Sequence, residues 1–396
     1  MMKLLDELAK SVANTWLLSA SGTLPELAVD DDGDVGYQVE NGEVVALALR
    51  GCGIHELPES IGQLSGLLHL DLTGNDLREL PESIGQLSQL KTLKLDENQL
   101  KTLPRSIEQL GALQALHVDL NELVVLPEQI DKLIHLTHLY VRRNRLSALP
   151  SAIWNMEQLE IFSVGENPLH VLPEALAGLQ NLQQLYIHNN DLTLLPDGIG
   201  ELKRLRTLDI GHNALVRLPD GIGQLTQLSD FLYISDNQLH ELPESMANLT
   251  EVAYLNVTHN QFSALPDWIG KLRGLRELRI YNNRLTTLPD SIGELGQLRE
   301  LHANANRIGV LPESIGELKT LKLLDLRNNR LRRLPTAFSG LTGLAQLDLR
   351  SNLLTHLPES IGQLTHMEKL DLSWNKIGSG AGWLKRLDER GCTIYH

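Results

Sequence analysis

The sequence predicts an α/β solenoid, in which one short repeat builds a sheet of about fifteen parallel strands. The first observation is periodic: Leu-Pro dipeptides recur fourteen times between residues 57 and 358. Their prolines are 23 residues apart, except Pro219 and Pro243, which are 24 apart. The second is the unit around each dipeptide, LxxLxLxxNxLxxLPxxIGxLxx, which residues 67–87 show in full.

Each repeat contains an LxL pair, such as Leu70 and Leu72, flanked by polar residues. This alternation is typical of a strand that is buried on one face. The other leucines and the isoleucine of the unit are expected to fill the space between successive coils. A single repeat cannot bury that apolar face, so stability must come from stacking. Fifteen such strands are predicted between Val44 and Ile377.

An asparagine stands three positions after the second leucine of the pair in fourteen units. Because an amide both donates and accepts hydrogen bonds, it is expected to satisfy backbone groups where the chain turns inward. In the first unit Cys52 takes this position, and we expect a buried ladder residue there, not a redox group.

An acidic residue follows Leu-Pro in eleven of the fourteen units, and without these acids the net charge would be −4 instead of −15. The pattern predicts a short helical turn whose first residue is the proline, with the carboxylate facing the positive end of the peptide dipoles. The extra residue of the 24-residue unit falls within residues 228–232, and we expect it to form a β-bulge.

The repeats divide the chain into a cap at residues 1–43, a solenoid at 44–377 and a second cap at 378–396. The first cap is predicted to contain an amphipathic helix and a hairpin that turns at Asn41-Gly42. The helix rests on apolar residues at every fourth position: Leu4, Leu8, Val12 and Trp16. The second cap is predicted to contain a short helix with Trp383, Leu384 and Leu387 on its apolar side.

These residues and motifs resemble the leucine-rich-repeat superfamily, in the 23-residue class with LPxxIGxL in each unit. Plant intracellular Ras-group-related proteins, Ras-pathway scaffolds and stand-alone bacterial repeat proteins are similar. The resemblance covers residues 44–377 and implies a horseshoe with its parallel sheet on the concave side. It also implies a function in protein binding, without naming the partner.

The motif residues form the core, so the residues that flank each LxL pair carry the identity of the binding surface. Five of the seven tyrosines fall on this face, and we expect no internal partner for them there. Tyrosine is a favoured anchor at interfaces, although it also simply favours strands. The expected partner-binding residues are Tyr140, Tyr186, His188, Phe231, Tyr233, Tyr254, Tyr281 and His302.

Catalytic and metal-binding motifs are missing from the sequence: it has no phosphate-binding glycine loop, no nucleophile elbow and no zinc-type cysteine pairing. His135 and His138 have no third ligand nearby in sequence, and the acidic run Asp30–Asp34 does not match a calcium loop. We therefore expect no enzyme activity, no cofactor and no bound metal.

Two distant cysteines favour a reducing compartment, and acidic residues interrupt the apolar character of the N-terminus. Together with the absence of a long apolar stretch, this predicts a cytoplasmic protein without a membrane span, although export without a cleaved signal peptide stays open. Residues 1–130 carry a net charge of −13 and residues 271–350 a net charge of +6. Acids interspersed at the basic end argue against nucleic-acid binding.

The sequence therefore predicts a monomeric, non-catalytic module that binds a protein or extended peptide on the concave face, possible roles including signalling. Three alternatives remain: a secreted bacterial effector acting on a host protein, a small-ligand sensor that uses the aromatic pockets, and a structural spacer. The charged pairs Asp325/Arg327 and Asp348/Arg350 are expected to neutralise each other instead of binding a partner.

Overall fold

The computed structural model describes residue 24, residues 35–378 and residues 382–396. The predicted N-terminal helix and the run Asp30–Asp34 lie outside the described residues. The chain forms two compact units, Met1–Asp191 and Leu192–His396. Among the described residues, no helix has both the length and the apolar character needed to cross a membrane.

The first unit opens with an antiparallel hairpin of strands β1 (Val35–Glu40) and β2 (Glu43–Leu49). At its turn Asn41 and Gly42 have φ angles of 50° and 82°, as a two-residue type I′ turn requires. From β2 onward the strands pair in parallel and in register. They are β3 (His69–Asp71), β4 (Thr92–Lys94), β5 (Ala115–His117), β6 (His138–Tyr140), β7 (Ile161–Ser163) and β8 (Gln184–Tyr186).

The second unit contains nine parallel strands in register. They are β9 (Thr207–Asp209), β10 (Phe231–Tyr233), β11 (Tyr254–Asn256), β12 (Glu277–Arg279), β13 (Glu300–His302), β14 (Leu323–Asp325), β15 (Gln346–Asp348), β16 (Lys369–Asp371) and β17 (Thr393–Tyr395). The fifteen predicted strands are β2–β16, so the predicted parallel-stranded repeat solenoid is confirmed. Helix α1 (Gly382–Glu389) precedes β17 and buries Trp383 and Leu387.

The extra residue of the 24-residue unit does not form a bulge, so that prediction is wrong. Strand β10 aligns residue for residue with both β9 and β11. The added length lies before the strand, where Ser229 and Asp230 separate the buried Leu228 from Phe231. The register is kept because Leu228 and Leu232 must both remain in the core, and the loop between them can absorb a residue.

After each of strands β2–β15 the chain turns inward, and a single turn of 3₁₀ helix follows on the side away from the strands. In the first unit these turns are Glu59–Gln63, Glu82–Gln86, Arg105–Gln109, Ile130–Lys132, Ser151–Asn155 and Glu174–Gly178. In the second they are Asp197–Glu201, Asp220–Gln224, Glu244–Asn248, Asp267–Lys271, Asp290–Glu294, Glu313–Glu317, Thr336–Gly340 and Glu359–Gln363.

The proline of the motif precedes the 3₁₀ turn and does not belong to it, which corrects the predicted position by one residue. Pro81 is extended, with φ −67° and ψ 150°, and its carbonyl accepts the first bond of the turn from Ile84 at 3.1 Å. A 3₁₀ turn is closed by a hydrogen bond between residues three apart in sequence. The proline is therefore the capping residue, and the acid is the first residue of the turn.

The acid after the proline acts on the neighbouring repeat. The Glu59 carboxylate accepts a hydrogen bond from the Ser83 backbone at 3.1 Å, and that of Glu313 accepts one from Ala337 at 2.9 Å. In both cases the bonded N–H lies in the first turn of the next 3₁₀ helix, where donors lack partners within the helix. The backbone hydrogen bonds from Ala337 and Thr336 lower the pKa of Glu313.

The glycine of the motif is required by the close stacking of these turns. A Cβ atom on Gly85 would lie 2.5 Å from the Ser106 carbonyl oxygen, which is too short for any side chain. Where a unit has the Ile-Gly pair, the isoleucine fills the core and the glycine lets the next turn approach.

The asparagines form the predicted ladder, and Asn260 shows its geometry. Its side-chain oxygen accepts the Leu239 N–H at 3.0 Å, while its nitrogen donates to the carbonyls of Ile234 and Val257 at 3.0 and 3.2 Å. Each asparagine thus joins its own repeat to the preceding one. In the first repeat Cys52 is fully buried, as predicted, and burial raises the pKa of its thiol to about 11.

We predict that Asn260→Ala lowers the free energy of unfolding by about 1–3 kcal/mol, because buried backbone groups lose their partners. Asn375→Ala should cost less, since Asn375 is only half-buried and water can replace its amide. Urea unfolding of both variants measures the difference, and equal shifts of the midpoint would contradict the ladder argument.

Candidate functional site

In each three-residue strand, the first and third residues lie on one side of the unit, together with the residue two positions after the strand. We call this side the strand face. Strand pairing aligns Tyr140 with Ser163 and Ser163 with Tyr186 in the first unit. In the second unit it aligns Tyr233 with Asn256. The eight expected partner-binding residues all occupy this face, but they fall into separate groups.

In the first unit Tyr140 is stacked on His117, with ring centroids 4.4 Å apart and an interplanar angle of 20°. His138 lies further from Tyr140, at 6.4 Å. Burial lowers the pKa of His117 to about 4, so the stacked imidazole is neutral at physiological pH. The sequence placed His117 on this face but not among the expected partner-binding residues, since a lone histidine in a strand carries no distinguishing pattern.

Tyr186 and His188 make their contacts with other polar groups of the first unit. The Tyr186 hydroxyl donates to Gln184 Oε1 at 3.0 Å. His188 Nε2 lies 4.0 Å from Glu166 Oε1, and that same oxygen is 2.7 Å from Arg142 Nε. The His188 ring covers Gly165, where a Cβ atom would lie 2.8 Å from the imidazole Cε1. A glycine in β7's inward turn therefore makes room for His188.

Phe231, Tyr233 and Tyr254 of the second unit form one aromatic cluster. Ring centroids are 5.8 Å apart for Phe231 and Tyr233, 5.6 Å for Phe231 and Tyr254, and 4.8 Å for Tyr233 and Tyr254. Such distances are those of favourable aromatic pairs. The expectation that rings on this face have no internal partner is therefore wrong, because rings of neighbouring strands bridge the spacing between strands.

The cluster has a buried base and an exposed top. Tyr254 is only 8% exposed and lies beneath the Arg279 guanidinium, whose Cζ is 5.5 Å from the ring centroid. Burial raises the pKa of the Tyr254 hydroxyl. Phe231, in contrast, is 44% exposed. The cluster therefore presents an apolar ring to solvent on a support that is already packed.

A cleft of about 690 Å³ adjoins this cluster at the start of β10–β12. The extra residue of the 24-residue unit forms part of its wall: Asp230 lies in the cleft, held by Arg206 at 3.1 Å and by Ser229 at 3.0 Å. The cleft is lined by Arg206, Ser229, Asp230, Phe231, Glu251, Ala253, Tyr254, Gly274, Arg276, Glu277 and Gln297.

Tyr281 and His302 belong to different groups on the same unit. The Tyr281 ring meets His259 edge-on at 5.5 Å. His302 Nε2 lies 3.0 Å from Glu300 Oε2 and 3.8 Å from Glu277 Oε1. The sequence predicted both residues on this face, but it gave no indication that His302 would stand between two carboxylates.

The charged strands β14–β16 form ion pairs, as predicted. Arg327 lies 3.2 Å from Asp325, and Arg350 lies 2.6 Å from Asp348 and 3.3 Å from Asp371.

Strand β17 adds an aromatic residue that was not predicted from the sequence. Tyr395 continues the column of Asp371 and has Lys369 Nζ 5.5 Å from its ring centroid. The alternation in Thr393–Tyr395 is its only signal, because the LxL motif ends earlier.

Two acids on the strand face of the first unit are tied to the backbone. Asp96 Oδ1 accepts the Asp119 N–H at 2.7 Å, and Asp119 Oδ1 accepts the Arg142 N–H at 2.6 Å. Burial raises the pKa of Asp96 to about 6, and it also raises that of Asp119. These carboxyls are therefore neutralised more readily than ordinary surface acids.

Family models match most of the repeat region. The model described as a leucine-rich repeat region matches residues 46–122, 84–189 and 295–388, and one described as leucine rich repeat matches 180–239 and 203–262. Comparison with curated proteins gave no match.

Solved structures include similar chains from bacteria and plants. A leucine-rich-repeat protein of Leptospira interrogans is 34% identical, with 88% of this chain and 95% of that chain covered and a TM-score of 0.82. The Arabidopsis receptor kinase HAESA, in complex with the peptide hormone IDA and the co-receptor SERK1, is 26% identical. That match covers 95% of this chain and 66% of the matched chain in that structure, with a TM-score of 0.76.

We predict that Tyr254→Ala lowers the free energy of unfolding by about 2–4 kcal/mol, because a buried ring is removed. Phe231→Ala should cost less than about 1 kcal/mol, since its ring is largely in solvent. Urea unfolding distinguishes the two variants. Equal losses would show that the exposed ring is as much a packing element as the buried one.

We predict that Asp96→Asn stabilises the protein at pH 8 and changes little at pH 4. A folded-state pKa raised to about 6 means that wild-type stability falls as pH rises from the ordinary carboxyl value through 6. Asparagine resembles the protonated acid, so its advantage should reach at most about 3 kcal/mol above pH 7. Unfolding midpoints at both pH values test this, and a difference independent of pH would refute it.

Proposed function

The chain belongs to the leucine-rich-repeat family, and we propose that it is a non-catalytic module that binds a protein or peptide partner on its strand face. The observation that carries the proposal is Phe231, an exposed aromatic ring held beside the cleft of the second unit. Aromatic residues, phenylalanine among them, are enriched at protein interfaces relative to the rest of the surface.

The support beneath Phe231 strengthens the argument. Tyr233 and Tyr254 contact its ring, and Arg279 covers Tyr254. A partner would therefore meet a ring whose position is already set, and little side-chain entropy would be lost on binding. The cleft next to it offers both apolar surface and charged groups, so a partner's side chain could be buried there while its backbone stays along the strands.

The peptide class of partner is favoured by the comparison with HAESA. That protein is solved in complex with a peptide hormone, and it shares 26% of its residues with this chain over 95% of the chain's length. We propose by this analogy that an extended segment is the ligand here as well. The flanking residues Tyr281 and His302 would extend its contact along the second unit.

The first unit presents a separate surface made by Tyr140, Tyr186 and His188. Its stacked Tyr140 and His117 rings form a flat, neutral platform. We propose that it makes additional contacts with a partner, and that it can be tested by itself because its variants leave the Phe231 cluster unchanged.

A second candidate function is a small-ligand sensor, which the cleft itself favours. Its volume of about 690 Å³ lies within the range of small-molecule sites, roughly 300–1,000 Å³. A sensor would bind a compact ligand in the absence of any macromolecule, and that ligand would protect Phe231 from solvent.

We further propose a cytoplasmic monomer that needs no cofactor for binding. Cys52 and Cys392 are both buried free thiols, as a reducing compartment favours. Burial raises the pKa of both thiols, which keeps them protonated and unreactive.

We predict that Phe231→Ala weakens peptide binding by about 30-fold or more, corresponding to roughly 2 kcal/mol. Peptides selected from a random 12-residue library on the full chain are the probe, and their affinities are measured by calorimetry. Tyr233→Ala should have a similar effect, while the fold of both variants is checked by thermal unfolding.

The matched control is Trp374→Ala, which removes a 77% exposed aromatic residue of the same unit outside the cluster. It should leave peptide affinity unchanged. If Phe231→Ala binds the selected peptides as the wild type does, the aromatic cluster is not the binding site. If Tyr186→Ala alone loses binding, the site is on the first unit.

A further inference from the structure

Two glutamates stand side by side on adjacent strands of the second unit. Glu277 of β12 and Glu300 of β13 are direct partners in the parallel ladder, as are Arg279 and His302. Like charges in such a position repel each other unless a cation lies between them. The structure directs a nitrogen ligand to that position, because His302 Nε2 is 3.0 Å from Glu300 Oε2 and 3.8 Å from Glu277 Oε1.

The three side chains differ from an ordinary acidic patch in chemistry and spacing. One atom from each of Glu277, Glu300 and His302 lies within 4.8 Å of the others, and all three residues are half-buried. Ligand atoms around a tetrahedral zinc ion are roughly 3.4 Å apart, given metal–ligand distances of about 2.0–2.1 Å. Nε2 and Glu300 Oε2 are already at least that close, and the Glu277 carboxylate, whose Oε1 is 3.8 Å from Nε2, must move closer to complete the set.

We propose that Glu277, Glu300 and His302 form a binding site for a divalent transition-metal ion, with Zn²⁺ as the ion that fits best. Two carboxylate oxygens and one imidazole nitrogen are ligands that zinc accepts. Three protein ligands leave a fourth position open to water or to a donor atom of a partner. Flexible glutamate side chains allow the small closure that the ion requires.

Arg279 shares the Glu277 carboxylate with the proposed metal site. Its Nε donates to Glu277 Oε1 at 2.5 Å, which neutralises one of the two carboxylates. One guanidinium leaves a single negative charge when the imidazole is neutral, and the second oxygen of Glu277 can still act as a ligand. The metal site therefore coexists with the Arg279 contact and does not depend on breaking it.

The site shares two residues with the proposed peptide surface, because His302 extends that surface and Glu277 lines the cleft, but metal binding by itself does not require a peptide. We expected no bound metal from the sequence, because Glu277 precedes Glu300 and His302 by 23 and 25 residues and the three match no metal motif. Only the register of the parallel strands brings them together.

The experiment is calorimetric titration of Zn²⁺ into the full chain after treatment with chelator. We expect one site per chain in the wild type, and a loss of at least about 100-fold in affinity in both Glu300→Gln and His302→Gln. Each substitution keeps the approximate size and polarity of a half-exposed side chain, and circular dichroism verifies that each variant is folded. Co²⁺ provides a second readout, since low coordination gives it a visible absorption that hydrated Co²⁺ lacks.

The matched control is His212→Ala, because His212 is another half-exposed histidine of the second unit that lies beside a carboxylate, 3.4 Å from Asp236. It should leave the stoichiometric site intact. The proposal is overturned if the wild type shows no such site, if both glutamine variants retain it, or if His212→Ala removes it. Peptide affinity of the glutamine variants, measured without metal, separates this result from the fate of the proposed binding function.

Discussion

The core of this protein depends on one constraint: no coil can bury its own leucines. Leu255 and Val257 of one repeat are fully buried only because neighbouring coils cover them on both sides. Close contact between coils removes many backbone N–H and C=O groups from water. The asparagine ladder provides hydrogen-bond partners for these buried groups. Asn260 bonds backbone groups of its own coil and of the one before it, so the apolar stacking and the polar ladder support each other.

The same constraint explains the residues at the back of the repeat. Gly85 has no side chain because the next 3₁₀ turn must approach its backbone. Glu59 accepts a hydrogen bond from the Ser83 N–H, which has no partner within its own 3₁₀ turn. Most motif positions are thereby committed to contacts between repeats. The strand face is where substitutions can change recognition without disturbing the stack, although Tyr254 shows that this freedom is incomplete.

Periodicity in the sequence was sufficient to predict the strands, their register and the columns on the strand face. It could not predict which aromatic side chains would contact each other. Tyr254 is buried because Phe231 and Tyr233 come from the preceding strand and Arg279 from the following one, a combination that no single repeat encodes. The missing bulge has a similar origin, since two buried leucines kept the register and moved the extra residue into the loop.

The irregular unit also explains why the candidate site lies where it does. A loop longer by one residue places Asp230 beside Arg206 and so builds a wall at the start of β10. Phe231, the next residue, lies at the edge of the cleft and is exposed to solvent. Further along the same unit, Arg327 and Arg350 are paired with the aspartates of β14–β16, which leaves those strands internally neutralised. The exposed ring, the cleft and the paired glutamates are therefore concentrated on β10–β13, which places apolar surface beside charged side chains.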